Sequence, residues 1–310
     1  MSRGREPENA EVRDTSRSRT EADSPSTERG TSADTTDSIT TQIPASVRTT
    51  APSGERHRST HRQVYRDREL EYHLRESEIA ALIEIGKFRT VRPEDLVEYQ
   101  YDGDRDGARR DLRNLTAEGL IAKRTLYGRK PGQLLTLTRN GKRLIEQSSR
   151  GRVHTQQAFH RGFVKPREAR HDAALYRLYQ KAAEGIERDG GKNLRVVLDY
   201  ELKRNLYRDI ATLKNISPQE RAERKQEIAE SHGLKVVNGK IPLPDVRIEY
   251  ENRDDEQARI DLELATSDYR ASQLAEKAQA GFSIYAPADE AGPIRRALQD
   301  AHLMTEILSL

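Results

Sequence analysis

Residues 77–146 have the sequence SEIAALIEIGKFRTVRPEDLVEYQYDGDRDGARRDLRNLTAEGLIAKRTLYGRKPGQLLTLTRNGKRLIE, and this stretch decides the fold of the first half of the chain. Its apolar residues recur at helical spacing three times, first from Ser77, then from Pro93 and then over about 105–118. Gly86 is expected to end the first helix, and Pro93 suits the first turn of the second because its φ is fixed. From Leu120 the spacing becomes that of a strand. The pattern predicts three helices followed by a two-stranded hairpin.

The third helix has a clear buried face. Ala108, Leu112 and Leu115 lie at i, i+4 and i+7, so the arginines of this helix are expected to face solvent. Strands are predicted over 121–127 and 134–138, joined by a turn that contains two glycines. Together these elements predict a winged helix-turn-helix over 70–148, a fold that places its recognition helix in the DNA major groove.

Positive charge is concentrated on the recognition helix and the hairpin. Between Arg105 and Arg143 there are 11 Lys plus Arg and 3 Asp plus Glu, although the net charge of the whole chain is only +3. A phosphate backbone is the partner that this local charge favours. The predicted DNA-binding residues are Arg105, Arg109, Arg110, Arg113, Lys123, Arg124, Arg129 and Lys130. The alternative is a protein-interaction module whose surface arginines are only solvated.

Composition divides the chain and excludes several classes of protein. The first 60 residues contain no Phe, Trp or Tyr and 21 Ser or Thr, with 9 Arg against 10 acids. Such a segment cannot bury enough apolar surface to offset its ordering entropy, so a disordered tail is predicted over 1–65. The absence of cysteine excludes disulfides and thiolate metal sites. No apolar run approaches the roughly 20 residues of a membrane span, and the N-terminus lacks a signal-peptide core, so a cytoplasmic protein is predicted.

The second half is predicted to be a mixed α/β domain over 169–310, reached through a basic linker over 149–168. The linker either follows DNA phosphates or only spaces the two domains. The predicted elements are a helix over 169–188, a strand over 194–200, a charged helical insertion over about 203–236, strands over 243–250 and 258–265, a helix over 267–285 and a shorter helix near 294–301. Turn residues on both sides of the second and third strands predict that these two pair as a hairpin.

Acidic residues recur at the ends of these strands. Glu201 follows the first strand, Asp245 follows Pro244 at the start of the second, and Asp261 and Glu263 share one face of the third. Asp245 could adjoin that face, which would group these carboxylates. The alternatives are an acidic, solvent-facing hairpin and, for Asp245, an ordinary turn aspartate.

This order of helix, strand, insertion, strand, strand and helix, with Pro244-Asp245 at the second strand, resembles the PD-(D/E)XK nuclease fold. With the preceding winged helix, residues 75–285 resemble the replication-relaxation family, proteins of plasmids and other mobile elements that join such a wing to a nuclease-like core. The resemblance implies an α+β protein with an N-terminal winged helix-turn-helix and an α/β core like that of restriction endonucleases. It further implies double-stranded DNA as a partner, with a homodimer or a relaxase or replication protein as additional partners.

The resemblance also implies a site that uses Mg²⁺ or Mn²⁺. In such a site carboxylates hold the metal, which lowers the pKa of a bound water and neutralises phosphate charge. The implied metal ligands are Asp245, Glu263 and Glu201. The implied catalytic residues are Lys277, His171 and Glu201.

The sequence departs from the nuclease pattern on the third strand. The pattern requires a lysine two residues after the acid, but the residue two after Asp261 is Glu263 and the residue two after Glu263 is Ala265. Lys277 on the following helix is the candidate replacement. The sequence Glu201-Leu-Lys203 has the required spacing but precedes Pro244-Asp245. Little sequence remains after 285 for a fourth strand, so an abbreviated core is expected.

Three functions remain open on this evidence. The first is a DNA-binding protein that nicks DNA with a divalent metal. The second is a non-catalytic regulator, or a relaxosome or replication accessory protein, with a degenerate nuclease fold. The third is a protein-interaction module.

Overall fold

A computed structural model of the protein describes residues 61–127, 132–149, 157–165, 168–214, 216–266, 269–300 and 307–310. The first 60 residues of the predicted tail lie outside the described residues, as do Arg129 and Lys130 of the predicted DNA-binding set. A strand already begins at Gln63, so the predicted tail boundary at residue 65 is too late.

The described part is a mixed α and β structure. Its helices are α1 (Glu76–Lys87), α2 (Pro93–Tyr99), α3 (Arg105–Ala117), α4 (Arg139–Ser149), α5 (Ala169–Arg188), α6 (Asp199–Ile210), α7 (Pro218–Ser231), α8 (Ala271–Gln279) and α9 (Ala288–Asp300). Its strands are β1 (Gln63–Asp67), β2 (Leu70–Leu74), β3 (Ile121–Leu126), β4 (Gly132–Leu137), β5 (Lys192–Leu198), β6 (Val246–Glu251), β7 (Gln257–Leu264), β8 (Ser283–Ala286) and β9 (Ile307–Ser309). None of these helices is long and apolar enough to cross a membrane.

The first half has the element order of a winged helix. Helices α1 to α3 precede the antiparallel hairpin β3–β4, and an isolated bridge joins Val91, between α1 and α2, to Leu135 of β4. The predicted end of α1 at Gly86 is wrong, because the helix continues through Lys87. A Cβ at Gly86 would lie 2.7 Å from the Cδ1 atom of Ile145, so this glycine permits close packing against α4.

A hairpin of β1 and β2 precedes the winged helix and was not predicted. Tyr65 and Tyr72 pair across it, and both rings are buried. Arg143 of α4 donates to the buried Asp67 carboxylate at 2.5 Å. Buried and exposed positions alternate in β1 and β2, but each strand has only five residues. A pattern this short is difficult to recognise in a strongly charged sequence.

The segment 157–165 of the predicted basic linker is packed between the two halves. The backbone amide of His160 donates to the carbonyl of Gly86 at 2.7 Å, and Phe159 is buried. The side chain of Gln157 bonds to both backbone groups of Val196 on β5, with distances of 2.9 and 3.0 Å. One hydrophobic core contains residues of both halves, so the two halves pack against each other.

The second half is built on a sheet with strand order β5-β6-β7-β8-β9. The first three strands are antiparallel, and β7, β8 and β9 are parallel to one another. The predicted helix over 267–285 is wrong at its end, because α8 stops at Gln279 and β8 follows. Gly281 has a φ of +93°, which a helix cannot contain, and the chain then enters the sheet. The sheet therefore has the fourth strand that the sequence analysis did not expect.

Candidate functional site

Helix α3 presents its arginines to solvent because its opposite face is buried in the core. Asp104 caps the helix by accepting from the amide of Gly107 at 2.9 Å. Asp111, which is fully buried, accepts from the hydroxyl of Ser77 and from the guanidinium of Arg75, and so ties α3 to the start of α1. The exposed cations of this helix are Arg105, Arg109, Arg110 and Arg113.

The arginines of α3 differ in their partners. Arg109 lies 3.7 Å from the Asp106 carboxylate, and Arg110 lies 3.2 Å from that of Asp111. Arg105 and Arg113 form no ion pair with any residue that the structure describes. The pair of Arg109 with Asp106 is exposed and long, so it is weak and readily replaced by a phosphate contact. The face is therefore suited to a polyanion.

The predicted hairpin cations fall into two groups. Lys123 is exposed on β3. Arg124 instead packs over the Phe163 ring, with its guanidinium carbon 4.2 Å from the ring centroid, and it donates to the carbonyl of Val164 at 3.3 Å. Arg124 thus helps to hold the packed segment against the hairpin.

A concave groove of about 530 Å³ lies between α2, α3 and the hairpin. Val97, Ala108 and Leu112 form apolar parts of its lining, and Arg105 and Lys123 contribute positive charge from opposite sides. Arg105 and Arg109 of α3 and Lys123 of β3 therefore line one groove.

A second cluster lies at one edge of the five-stranded sheet. The register that pairs Val246 with Leu262 sets Asp245, just before β6, beside Glu263 near the end of β7. One carboxylate oxygen of Asp245 accepts from the amide of Leu264 at 2.9 Å. The predicted pairing of the second and third strands is confirmed, and it brings the two acids together.

His171 on α5 contacts Asp245 from outside the sheet. Its Nε2 atom lies 3.3 Å from the Asp245 carboxylate, and its Nδ1 atom lies 3.7 Å from that of Asp172. Burial lowers the pKa of His171, but hydrogen bonds to Asp172 and Asp245 outweigh this and raise it to about 10. The imidazole is therefore a cation at neutral pH in this arrangement.

Glu263 is fully buried and is held by two neighbours. Lys277 of α8 lies 2.7 Å from Glu263 Oε1, and the Tyr269 hydroxyl donates to the same oxygen at 2.9 Å. The other oxygen, Oε2, has no hydrogen-bond partner among the described residues. Burial and the charge of Asp245 raise the pKa of Glu263 to about 7. Lys277 also donates to the carbonyl of Leu243 at 2.6 Å.

Glu201 stands apart from this cluster. Strand β5 ends at Leu198, so Glu201 lies in the first turn of α6 and not at a strand end. Its carboxylate lies 2.6 Å from Arg195, which also pairs with Glu249. Burial raises the pKa of Glu201, opposed by Arg195. The structure therefore groups Asp245 and Glu263 but not Glu201, and no group of three or more His, Cys, Asp or Glu within the described ranges has the arrangement of a metal site.

The structure adds residues to this cluster that the sequence analysis missed. Arg89, which follows α1, lies 3.4 Å from the carboxylate of Asp172 and 3.2 Å from that of Asp199, and its guanidinium lies over the Tyr200 ring. Asp199 directly follows β5, so its position at a strand end was a usable signal. Arg89 gave none, because its contacts span 83 and 110 residues of sequence.

Comparison with known proteins yields little. No protein-family model matches the sequence, and no curated protein matches it significantly. A solved structure to which the chain is similar is that of Bacillus subtilis PadR in complex with operator DNA, at 15% identity over 50% of this chain and 90% of that chain, with a TM-score of 0.20. A TM-score this low carries no weight for the fold or the function.

Proposed function

We propose that this protein binds double-stranded DNA through its winged helix, with α3 in the major groove and the β3–β4 hairpin beside it. The observation that carries the proposal is the exposure of Arg105, Arg109, Arg110 and Arg113 on one helix whose opposite face, formed by Ala108, Leu112 and Leu115, is buried. Lys123 extends this positive surface onto the hairpin. Phosphate contacts position such a helix, and base-edge contacts then give sequence preference.

The test is the salt dependence of DNA affinity. Binding of the full chain to random-sequence duplexes, followed by fluorescence anisotropy, should weaken steeply as salt rises, because each phosphate contact releases counterions. Replacing Arg105 and Arg113 together by alanine should flatten the dependence by about two contacts. Affinity that does not change with salt would instead favour the protein-interaction module.

For the second half, we propose the role of an accessory protein in the replication or mobilisation of a plasmid or other mobile element, in the cytoplasm. A second copy of the chain, or a relaxase or replication protein, would be its partner. What supports a non-catalytic role is that each acid of the Asp245–Glu263 pair already has a cation, His171 for Asp245 and Lys277 for Glu263. The ion pairs would then serve the stability of the sheet edge.

Metal-dependent nicking is the second candidate, and a specific observation favours it. Glu263 Oε2 is buried beside a second carboxylate and lacks a partner among the described residues. An unsatisfied buried oxygen of this kind is costly unless something binds it. Asp245 and Glu263 would hold Mg²⁺ or Mn²⁺, which would activate water and neutralise phosphate charge. Glu201 does not lie with them, so the third ligand would come from elsewhere.

Cleavage of supercoiled plasmid by the full chain, with Mg²⁺ or Mn²⁺, separates the two candidates. Nicking that Asp245→Ala and Glu263→Ala both abolish would establish the enzyme and locate its metal. Binding of DNA without nicking in either metal would support the accessory role.

A further inference from the structure

Helix α6 carries a cationic and aromatic face that the proposals above do not use. Lys203, Arg204, Tyr207 and Arg208 are spaced i, i+1, i+4 and i+5, so they share one side of the helix. All four are exposed, and Tyr207 retains 54% of its accessible surface. We call these four residues the α6 face.

The acids of α6 pair with this face only at Arg208. Asp199 pairs with Arg89, and Glu201 is buried against Arg195. Asp209 accepts from His232 at 2.7 Å and from Arg208 at 3.1 Å. The remaining cations, Lys203 and Arg204, form no ion pair with any residue that the structure describes.

Tyr207 is a large aromatic side chain that remains exposed on α6. The Nζ atom of Lys203 lies 5.7 Å from the centroid of its ring. An exposed aromatic ring flanked by cations is the arrangement with which proteins bind single-stranded nucleic acid, because the ring stacks on an unpaired base and the cations contact the phosphates on either side. A base pair within a duplex offers no such free face.

The neighbouring helix α7 shows that this face is not simply the average surface of a charged protein. Its exposed cations alternate with glutamates, as in the pair of Arg224 with Glu227 at 2.8 Å. Among the exposed large hydrophobic side chains, α7 contributes none, whereas α6 contributes Tyr207. The excess positive charge and the aromatic ring occur together on α6.

The position of α6 connects it to the DNA-binding half. The helix begins at Asp199, whose carboxylate is held by Arg89 of the winged-helix half at 3.2 Å. The hydroxyl of Tyr200, the next residue, lies 2.9 Å from Nε2 of His160 in the packed segment. A nucleic acid held by the winged helix and one held by the α6 face are therefore bound to one packed body.

We propose that the α6 face binds single-stranded DNA next to the duplex that the winged helix holds, so that the protein recognises a junction between duplex and single strand. Tyr207 stacks on an unpaired base, and Lys203 and Arg204 contact the adjacent phosphates. The junction rests on the proposed duplex binding, whereas the single-strand contact does not depend on it.

The experiment compares three DNA probes on the full chain: a blunt duplex, the same duplex with a single-stranded extension of thymidines, and that duplex extended to equal length with base pairs. The single-stranded extension should raise affinity by about tenfold over the blunt duplex, and the paired extension should not. Tyr207→Ala should remove most of this gain, whereas Tyr207→Phe, which keeps the stacking surface, should retain it. Lys203→Ala combined with Arg204→Ala should remove the gain and flatten its salt dependence.

A matched control removes the same number of charges from α7, as Arg221→Ala with Arg224→Ala, and should leave the gain intact. Equal affinity of wild-type protein for the blunt duplex and the single-strand extension would overturn the inference. So would a gain that survives in the Lys203/Arg204 variant, or a paired extension that works as well as the single strand. Failure of duplex binding itself would show up separately, as loss of affinity for the blunt probe, and binding of the thymidine strand alone would then still test the α6 face.

Discussion

The charged residues on α3 and those at the edge of the five-stranded sheet differ in their exposure to solvent. On α3 they lie at the surface, where the Arg109 side chain is 70% exposed and its ion pair with Asp106 is long. At the sheet edge they lie inside, where the Glu263 side chain is fully buried and contacts Lys277 at 2.7 Å. Exposed charge costs little to leave unpaired, so it is free to serve a ligand, whereas buried charge must be compensated within the fold. The difference predicts that removing an exposed charge of α3 affects binding, and that removing a buried charge at the sheet edge affects stability.

The largest expected effect comes from leaving Glu263 without its cation. Lys277→Met keeps the length of the side chain but removes its charge, so Glu263 takes up a proton at neutral pH, and the lost contacts to Glu263 and the Leu243 carbonyl should lower the free energy of unfolding by about 2–3 kcal/mol. Equilibrium unfolding in urea measures this. Lys240→Met is the control, because Lys240 pairs with Glu276 at the surface at 3.5 Å and its loss should matter little. Equal effects of the two variants would show that the buried ion pair contributes no more to stability than the exposed one.

The next largest effect concerns a buried group that is kept neutral. Burial, with the charges of Lys142, Arg89 and Arg204, lowers the pKa of His160 from 6.5 to about 3. Between those two values the unfolded chain takes up a proton that the folded protein does not, so acidification costs stability. From about pH 7.5 to about pH 5 this contribution should be roughly 2 kcal/mol, and it is measured as the difference between wild-type protein and a His160 variant, because the raised pKa values of His171 and Glu263 favour the folded protein over the same range.

Urea unfolding at the two pH values measures the effect in wild-type protein and in His160→Gln, in which this part of the pH dependence should disappear. His73→Gln removes an exposed histidine and should leave the pH dependence as it is. A pH dependence that is the same in wild-type protein and in His160→Gln would show that His160 takes up its proton without cost to the fold.

How far the sequence predicted this structure depends on the range of the interactions concerned. The helix predicted over 169–188 is observed at those bounds, because its apolar stripe repeats over five turns. The helix predicted to reach residue 285 failed because Leu274, Ala278 and Phe282 keep helical spacing past Gly281, where the backbone turns.

The candidate site was predictable only where local patterns marked it. Asp245 and Glu263 are adjacent because two neighbouring strands pair, and that pairing followed from turn residues between them. Glu201 was misplaced, because the end of β5 came two residues earlier than predicted and moved the acid onto α6. Tyr269 and Arg89 complete the cluster through contacts that only the fold creates. A single sequence carries no signal for such contacts.

Replacing single arginines on the exposed face of α3 should weaken DNA binding with little change in stability. Arg110→Ala and Arg113→Ala should each weaken affinity for duplex DNA by about tenfold at low salt, because each would remove one of the DNA contacts proposed for α3. Anisotropy titrations measure the affinity. Urea unfolding should show the free energy of unfolding of Arg113→Ala unchanged within about 0.5 kcal/mol, whereas Arg110→Ala also removes a partner of the buried Asp111 carboxylate. Unchanged DNA binding in both variants would remove the proposed docking of α3.

The smallest expected effect is on β3. Lys123→Ala should weaken duplex binding only a few-fold, because a lysine that contacts phosphate adds roughly one counterion to the salt dependence and carries no sequence information. The loss should therefore be the same for every duplex in a panel of sequences, whereas Arg113→Ala should weaken some sequences more than others. A sequence-dependent loss with Lys123→Ala would mean that the hairpin reaches base edges. Lys123 would then contribute to sequence recognition, in addition to the phosphate contact proposed for it.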